Sequence, residues 1–236
     1  MQTNRVISIF GDSIMKGVQL HRETLRYVRT DGIDLDGIAQ AHALVVDNRS
    51  RFGCTIEKGE ALLMQQLASG LKTSAVLLEY GGNDADFDWA AIAANPDGEH
   101  LPRTPLPAFR ASLSRMIAAL REHGVIPILT TLPPIAPERY LNWITHTGLP
   151  KENILHWLGE ANTIYRYQEM YSNAIALLAE QTHCLCIDLR QAFLEKRVLL
   201  PYLCEDGIHP NDAGQQIIHD ALNAAAERHL KILAPA

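Results

Sequence analysis

The chain has 236 residues, of which 47% are hydrophobic and 20% are charged, and its formal net charge at pH 7 is −6. This length can bury a sizeable core, and the composition is typical of soluble globular proteins. The negative charge argues against nucleic acid or an anionic membrane as the main partner, and no apolar run approaches the roughly 18 residues of a membrane span.

The first residues, MQTNRVISIFGDS, pass almost directly into an apolar run, without the apolar region and cleavage site of a signal peptide. We therefore expect a cytoplasmic protein, although an exported form whose signal has been removed stays open. The cysteine content does not suggest a disulfide scaffold. The stretch HCLC at 183–186 could bind a metal, but its alternation is more typical of a buried strand. We expect neither a metal nor a cofactor.

Five short apolar runs predict strands that are buried on both faces, as in a parallel sheet. They cover residues 5–10, 43–48, 74–80, 125–131 and 184–189. Between and after these runs, apolar residues keep helical spacing, around Leu63, Leu113, Ile175 and Ile218 among others. This alternation predicts an α/β fold with right-handed crossovers. Because no linker or repeat interrupts it, we expect one domain over residues 1–236.

Polar residues follow several of these predicted strands. Ser13 comes after the first strand, Gly53 lies in the loop after the second, and Asn83 follows the third. Asp206 and His209 stand just ahead of the last predicted helix. Ligands bind beyond the carboxyl ends of the strands in such sheets, so we expect these residues to converge at one edge.

These residue types suit ester hydrolysis. A serine becomes nucleophilic when a histidine takes its proton, and an acid on the other histidine nitrogen fixes the tautomer. The spacing D-x-x-H lets Asp206 reach His209, while the amides of Ser13, Gly53 and Asn83 could stabilise an oxyanion. Other readings remain open at this stage: Ser13 could cap a helix, and Asn83 could belong to a plain turn.

Four blocks in this order, GDS, the loop glycine, GGND and DGIHPND, resemble the GDSL-type SGNH hydrolases from residue 6 to about residue 220. The resemblance implies a three-layer α/β/α sandwich with a flavodoxin-like five-stranded parallel sheet of order 2-1-3-4-5. It also implies ester hydrolysis without a cofactor. Ser13 resembles the nucleophile, Asp206 and His209 the rest of the triad, and Gly53 and Asn83 the oxyanion donors. In the family, the second block is usually a glycine accompanied by small residues, and the loop NRSRFGCT departs from that pattern.

Two segments are too long for simple connections, at about 85–108 and 132–160. Long insertions at the ligand edge of a domain are more often functional than idle, so we expect them to form the walls of a substrate pocket. The candidate pocket residues are Phe87, Trp89, Tyr140, Trp143 and Ile208. The alternative is that the aromatic side chains only pack their own loops.

Asp84, Asp86 and Asp88 follow Asn83 closely, and we expect some of them to make the mouth of the site acidic and to disfavour anionic substrates. The sequence thus predicts a serine esterase for short-chain, chiefly acetyl, esters of small neutral molecules such as acylated sugars. The alternatives are a thioesterase or lysophospholipase for longer acyl chains and, in another class, a non-catalytic carbohydrate-binding relative. No oligomeric state is predicted.

Overall fold

The structure is a computed structural model that describes residues 5–229, and its centre is a five-stranded parallel sheet. The strands of the sheet are β1 (Arg5–Gly11), β4 (Leu44–Asn48), β5 (Ala75–Glu79), β6 (Ile126–Thr130) and β7 (Leu185–Ile187). They are ordered β4-β1-β5-β6-β7, which is 2-1-3-4-5 when these five are numbered along the chain. The predicted α/β/α fold is confirmed.

Helices cover both faces of this sheet. Within residues 5–229 they are α1 (Leu35–Ala41), α2 (Ile56–Ala68), α3 (Trp89–Ala94), α4 (Leu106–Glu122), α5 (Pro137–Thr145), α6 (Lys151–Leu158), α7 (Asn162–Thr182), α8 (Leu189–Leu194) and α9 (Asp212–His229), with a 3₁₀ turn at Leu200–Tyr202. Across this part of the chain, none of the helices has the length and apolar character that crossing a bilayer requires.

The strands separate two apolar layers because successive side chains of a strand point to opposite faces. Phe10, for example, packs into the layer formed with α2, α4 and α7, whereas its neighbour Ile9 packs into the layer formed with α1, α8 and α9. Both faces of the inner strand β5 are therefore apolar, which explains the lack of polar alternation in its sequence. Its one charged side chain, Glu79, stands at the end of the strand.

A β-hairpin follows the turn that carries Ser13, and the sequence did not predict it. β2 (Val18–His21) and β3 (Arg26–Arg29) pair antiparallel and form a separate two-stranded sheet. No helix begins at Ser13, because the next element is β2 and the first helix starts at Leu35. The alternative reading of Ser13 as a helix cap is therefore wrong.

The two long segments fold into short helices and not into extended loops. α3 lies in the first segment, and α5 and α6 lie in the second. Their apolar residues form a third cluster with the start of α7, centred on Phe87, Ile92, Leu141 and Ile154. The walls at this end of the sheet thus have a small core of their own.

The N-terminus of α2 is capped by a residue that is distant in the sequence. Thr55, at the cap position, makes no side-chain capping hydrogen bond. Instead, both oxygens of the Asp84 carboxylate accept from the N–H of Ile56, at 2.9 and 3.2 Å. Asp84 has no exposed surface, so it is not one of the carboxylates that could make the mouth of the site acidic. Its burial raises its pKa to about 6, above the ordinary 3.8.

We predict that Asp84→Asn becomes more stable relative to the wild type as pH rises from about 4 to 6. In that interval the folded wild type binds more protons at Asp84 than the unfolded chain does, so its free energy of unfolding falls with rising pH and levels off above pH 6. Asparagine does not titrate and keeps an oxygen for Ile56. Between these pH values, the free energy of unfolding of Asp84→Asn should gain on the order of 3 kcal/mol relative to that of the wild type.

Urea unfolding of both proteins between pH 3.5 and 7.5 measures this difference, in which other titrating groups cancel. A stability difference that stays constant over the whole range would contradict the prediction.

Candidate active site

Ser13 lies in a tight turn directly after β1. The Asp12 carboxylate accepts from the N–H of Ile14 at 2.9 Å, and the Ser13 carbonyl accepts from the N–H of Val18 at 2.9 Å. These bonds fix the backbone on both sides of the serine. Its side chain is largely buried, with the hydroxyl turned towards the loop before α9.

His209 and Asp206 lie in that loop, which is a compact turn. Asp206 Oδ1 accepts from the N–H groups of Ile208 and His209, both at 3.1 Å. Gly207 has φ +76, and a Cβ there would lie 2.7 Å from the carbonyl oxygen of Ala136, so only glycine fits between the acid and the histidine. The turn therefore brings the Asp206 carboxylate back onto its own histidine.

Ser13, His209 and Asp206 form one continuous chain of hydrogen bonds. His209 Nδ1 lies 2.6 Å from Asp206 Oδ2, and His209 Nε2 lies 2.9 Å from Ser13 Oγ. Burial would raise the pKa of Asp206, but the hydrogen bond and charge of His209 outweigh it and hold that pKa below the ordinary value. An ionised Asp206 selects the tautomer in which Nδ1 carries the proton, which leaves Nε2 to accept from Ser13.

Hydrogen-bond donors surround the serine. Ser13, Gly53 and Asn83 line one cavity. Within residues 5–229, the backbone N–H groups of Ser13 and Gly53 donate to no protein acceptor. Asn83 Nδ2 donates to Asp12 Oδ2 at 2.9 Å and, in a long bond of 3.4 Å, to the carbonyl oxygen of Cys54. An oxyanion can compete for the proton in the longer bond. The structure therefore brings the three predicted oxyanion donors to the edge where Ser13 lies.

The cavity beside Ser13 has a volume of about 450 Å³. All five residues that were predicted to line a pocket lie along it: Phe87, Trp89, Tyr140, Trp143 and Ile208. The alternative, that the aromatic side chains pack their own segments, also describes part of what is seen. Phe87, Trp89 and Tyr140 are buried in the third apolar cluster, so they form the inner wall and its core at once.

The expected acidic mouth reduces to one ion-paired carboxylate. Asp86 lines the cavity, but its carboxylate is 3.2 Å from Arg103 and accepts from Tyr140 and Trp89, both at 2.8 Å. Asp88 caps α3 by accepting from the N–H of Ala91. The ion pair leaves little unbalanced charge on this wall.

Several residues that line the cavity were not predicted as site residues, and Tyr27, Phe52 and Glu79 are the ones closest to the chemistry. The Tyr27 ring, on β3, lies 5.0 Å from the His209 ring between centroids, and the Phe52 ring stacks on His209 at 6.2 Å with an interplanar angle of 9°. Glu79 ends β5 and is completely buried beneath the Ser13 turn. A charged residue inside the apolar run SAVLLEY was the available signal for Glu79.

All four cysteines are free thiols. Cys204 lies in the turn that carries His209, where its N–H donates to the His209 carbonyl at 2.8 Å, but its thiol takes no part in the Ser13–His209–Asp206 hydrogen-bond chain. Cys186 belongs to β7, next to Cys184, as the alternation suggested. Among residues 5–229, no group of three histidine, cysteine or acidic side chains is arranged to hold a metal ion.

Comparison with known proteins identifies relatives of both the sequence and the fold. A family model for the GDSL-like lipase/acylhydrolase family matches residues 9–217. No curated protein sequence matches the chain significantly. Three solved structures are similar over nearly the whole of both chains, and at these low identities the likeness concerns the fold.

The first is a lipase/acylhydrolase from Enterococcus faecalis (20% identity, 95% of this chain and 96% of that chain, TM-score 0.64). The second is LAE5, an α/β hydrolase enzyme from the metagenome of Lake Arreo (23%, 95% and 95%, TM-score 0.66). The third is a catalytic mutant of an acetylxylan esterase from Geobacillus stearothermophilus (19%, 96% and 96%, TM-score 0.67).

We predict that a fluorophosphonate labels the chain once, on Ser13 Oγ. His209 Nε2 is placed to take the serine proton, and general-base assistance is typically worth 10²-fold or more. His209→Ala should therefore slow labelling at least about 100-fold. Intact-mass and peptide mass spectrometry measure the site and the rate.

Ser50→Ala is the matched control, because Ser50 is also buried, lies at the neighbouring strand end, and has no histidine hydrogen-bonded to its hydroxyl. Labelling that persists in Ser13→Ala would show that Ser13 is not the reactive serine.

Proposed function

Because the chain belongs to the GDSL-like lipase/acylhydrolase family, we propose that it is a serine esterase for short-chain, chiefly acetyl, esters of small neutral molecules such as acylated sugars. The observation that carries the serine mechanism is the unbroken hydrogen-bond chain from Asp206 through His209 to Ser13. A non-catalytic carbohydrate-binding protein has no need of that chain.

In the proposed reaction, Ser13 Oγ attacks the ester carbonyl while His209 Nε2 takes the serine proton. Asp206 stabilises the imidazolium that results. The carbonyl oxygen becomes an oxyanion that accepts from the N–H groups of Ser13 and Gly53 and from the Asn83 amide. The alcohol leaves with the proton from His209, and water then cleaves the acyl-enzyme by the same steps in reverse.

The alcohol half of the substrate must lie beside His209, since its oxygen takes the proton from Nε2. Tyr27 and Phe52 flank that ring, their own centroids are 5.2 Å apart, and Trp143 lies 6.2 Å from Tyr27. About half of the Phe52 surface is exposed. Open aromatic faces suit a ring-shaped, uncharged alcohol whose C–H groups stack on them, and this supports a sugar ester.

The paired charges on the inner wall also favour a neutral substrate. Asp86 and Arg103 pair with each other at 3.2 Å, so this wall presents little net charge to the substrate. One of the similar structures is an acetylxylan esterase, which is consistent with an acetylated sugar.

A specific observation favours the second candidate, an acyl hydrolase for longer chains. The inner wall of the cavity is apolar where it is formed by Phe87, Leu132, Ile135 and Ile164, and about 450 Å³ exceeds the needs of an acetyl group. Acyl-chain length is therefore the property that separates the two candidates.

We predict that kcat/KM for p-nitrophenyl esters is highest from acetyl to butyryl and falls for longer chains. The aromatic inner wall is packed into its own core and does not readily widen for a long chain. Steady-state kinetics over a chain-length series measure the preference, with Ser13→Ala as the blank. A preference for long chains, or hydrolysis of acetyl-CoA or palmitoyl-CoA that matches the best ester, would favour the second candidate.

We predict that Asn83→Ala lowers kcat by roughly 10²–10³-fold with a smaller change in KM, as is typical when one oxyanion donor is removed. The same ester assay measures it, and circular dichroism checks that the variant folds. A change confined to KM would instead make Asn83 a substrate-binding residue.

We predict that Phe52→Ala raises KM for an acetylated methyl glycoside about 2- to 10-fold, the range expected for one aromatic contact. KM for ethyl acetate should hardly change, because its alcohol is too small to reach the ring. Val28→Ala is the control, since Val28 is an exposed apolar residue next to Tyr27 on β3 and lies outside the cavity lining. Equal effects on both substrates would contradict stacking of the alcohol on Phe52.

A further inference from the structure

Glu79 is a buried acid that the proposed reaction does not use directly. It ends β5 opposite Gly11 of β1, and its Oε2 accepts from the N–H of Asp12 at 3.2 Å. A Cβ at position 11 would lie 2.9 Å from that oxygen, so the glycine of the GDS block is what lets the Glu79 carboxyl approach the turn. Glu79 has no exposed surface.

Glu79 and Asp12 are both buried, and the bond from the Asp12 N–H to Glu79 Oε2 holds their two carboxyl groups beside each other. Two such groups cannot both be charged without a cation, so the pair retains a proton. Asp12 accepts from the N–H of Ile14 and from Asn83 Nδ2, which favours its ionised form. Burial, followed by the charge of Asp12, raises the pKa of Glu79 well above its ordinary value, so Glu79 is the member of the pair that keeps the proton.

We propose that Glu79 is a positioning residue for the oxyanion hole: as a neutral acid it donates a hydrogen bond to the Asp12 carboxylate, and Asp12 in turn holds the Asn83 amide. A carboxylate can only accept, so Asp12 forces Asn83 to present its nitrogen and not its oxygen on this side. One amide proton is bound to Asp12, and the other, in the long bond to the Cys54 carbonyl oxygen, is the one that an oxyanion can take over. Without Glu79, the Asp12 carboxylate keeps only the Ile14 N–H and the Asn83 amide as hydrogen-bond partners.

This inference rests on the proposed function, because it assigns Glu79 to the oxyanion hole of that same site. It concerns kcat and not substrate binding, since the oxyanion exists only after Ser13 has attacked. The test therefore compares a variant that keeps the donor, Glu79→Gln, with one that removes it, Glu79→Leu. Both are made in the wild type and in the Asn83→Ala background.

We predict that Glu79→Leu lowers kcat about 10-fold and changes KM less than twofold, because a misplaced donor loses part of the 10²–10³-fold that a whole donor contributes. Glu79→Gln should lose less than about threefold, since its amide can donate to Asp12 and its oxygen can accept from the Asp12 N–H. In the Asn83→Ala background, Glu79→Leu should cost less than about twofold more, because the residue through which it acts is already gone.

Thr130→Val is the matched control, since Thr130 is buried in the neighbouring strand β6 and its hydroxyl is unpartnered. It should leave kcat unchanged. Circular dichroism and thermal unfolding establish that each variant folds. If Glu79→Leu does not fold, Glu79→Gln alone decides the matter.

A large loss of kcat in folded Glu79→Gln would overturn the inference, because it would mean that Glu79 acts as a carboxylate. Equal losses from Glu79→Leu with and without Asn83 would overturn it as well. If the wild type shows no hydrolysis that depends on Ser13, the proposed function fails. The same variants are then compared by the rate at which a fluorophosphonate labels Ser13, which replaces kcat as the measured quantity.

Discussion

The hydrogen bond between Ser13 Oγ and His209 Nε2 joins residues that are 196 positions apart in the chain, and the site depends on it. A parallel sheet makes that contact possible, because each crossover returns the chain so that every strand ends at the same edge. β1 lies inside the sheet, between β4 and β5, so the Ser13 turn is flanked by the loops that carry Gly53 and Asn83. The arrangement of the reactive groups is thus a direct consequence of strand order.

The buried carboxyl groups at the site are stabilised in different ways. The apolar sheet interior excludes water below the turn, so each carboxyl group at the edge needs a partner: His209 for Asp206, the α2 terminus for Asp84, and a retained proton for the Glu79 and Asp12 pair. Four acids close to one serine are therefore stabilised in three different ways. Sequence proximity to Asn83 or Ser13 does not distinguish them, whereas their hydrogen-bond partners do.

Much of this architecture could be predicted from the sequence, because long apolar runs report burial and the four blocks stand at strand ends. The β2–β3 hairpin could not be predicted in the same way, since its second strand is exposed along its whole length and lacks an apolar face. α5 and α6 were hidden by the prolines around them. The direction of the Asp84 side chain depends on how the loop after β5 passes α2, which is a tertiary contact that no local pattern encodes.

The hairpin has a further consequence. A two-stranded sheet is marginally stable by itself, and β3 buries none of its residues, so this element opens at a lower free-energy cost than the central sheet. Tyr27 lies on it, whereas Asn83 and Ser13 are attached to the buried strands. The element that contacts the alcohol is therefore less rigid than the elements that carry out bond cleavage. Changes in the hairpin can alter which alcohols are accepted without altering the catalytic groups at the buried edge of the sheet.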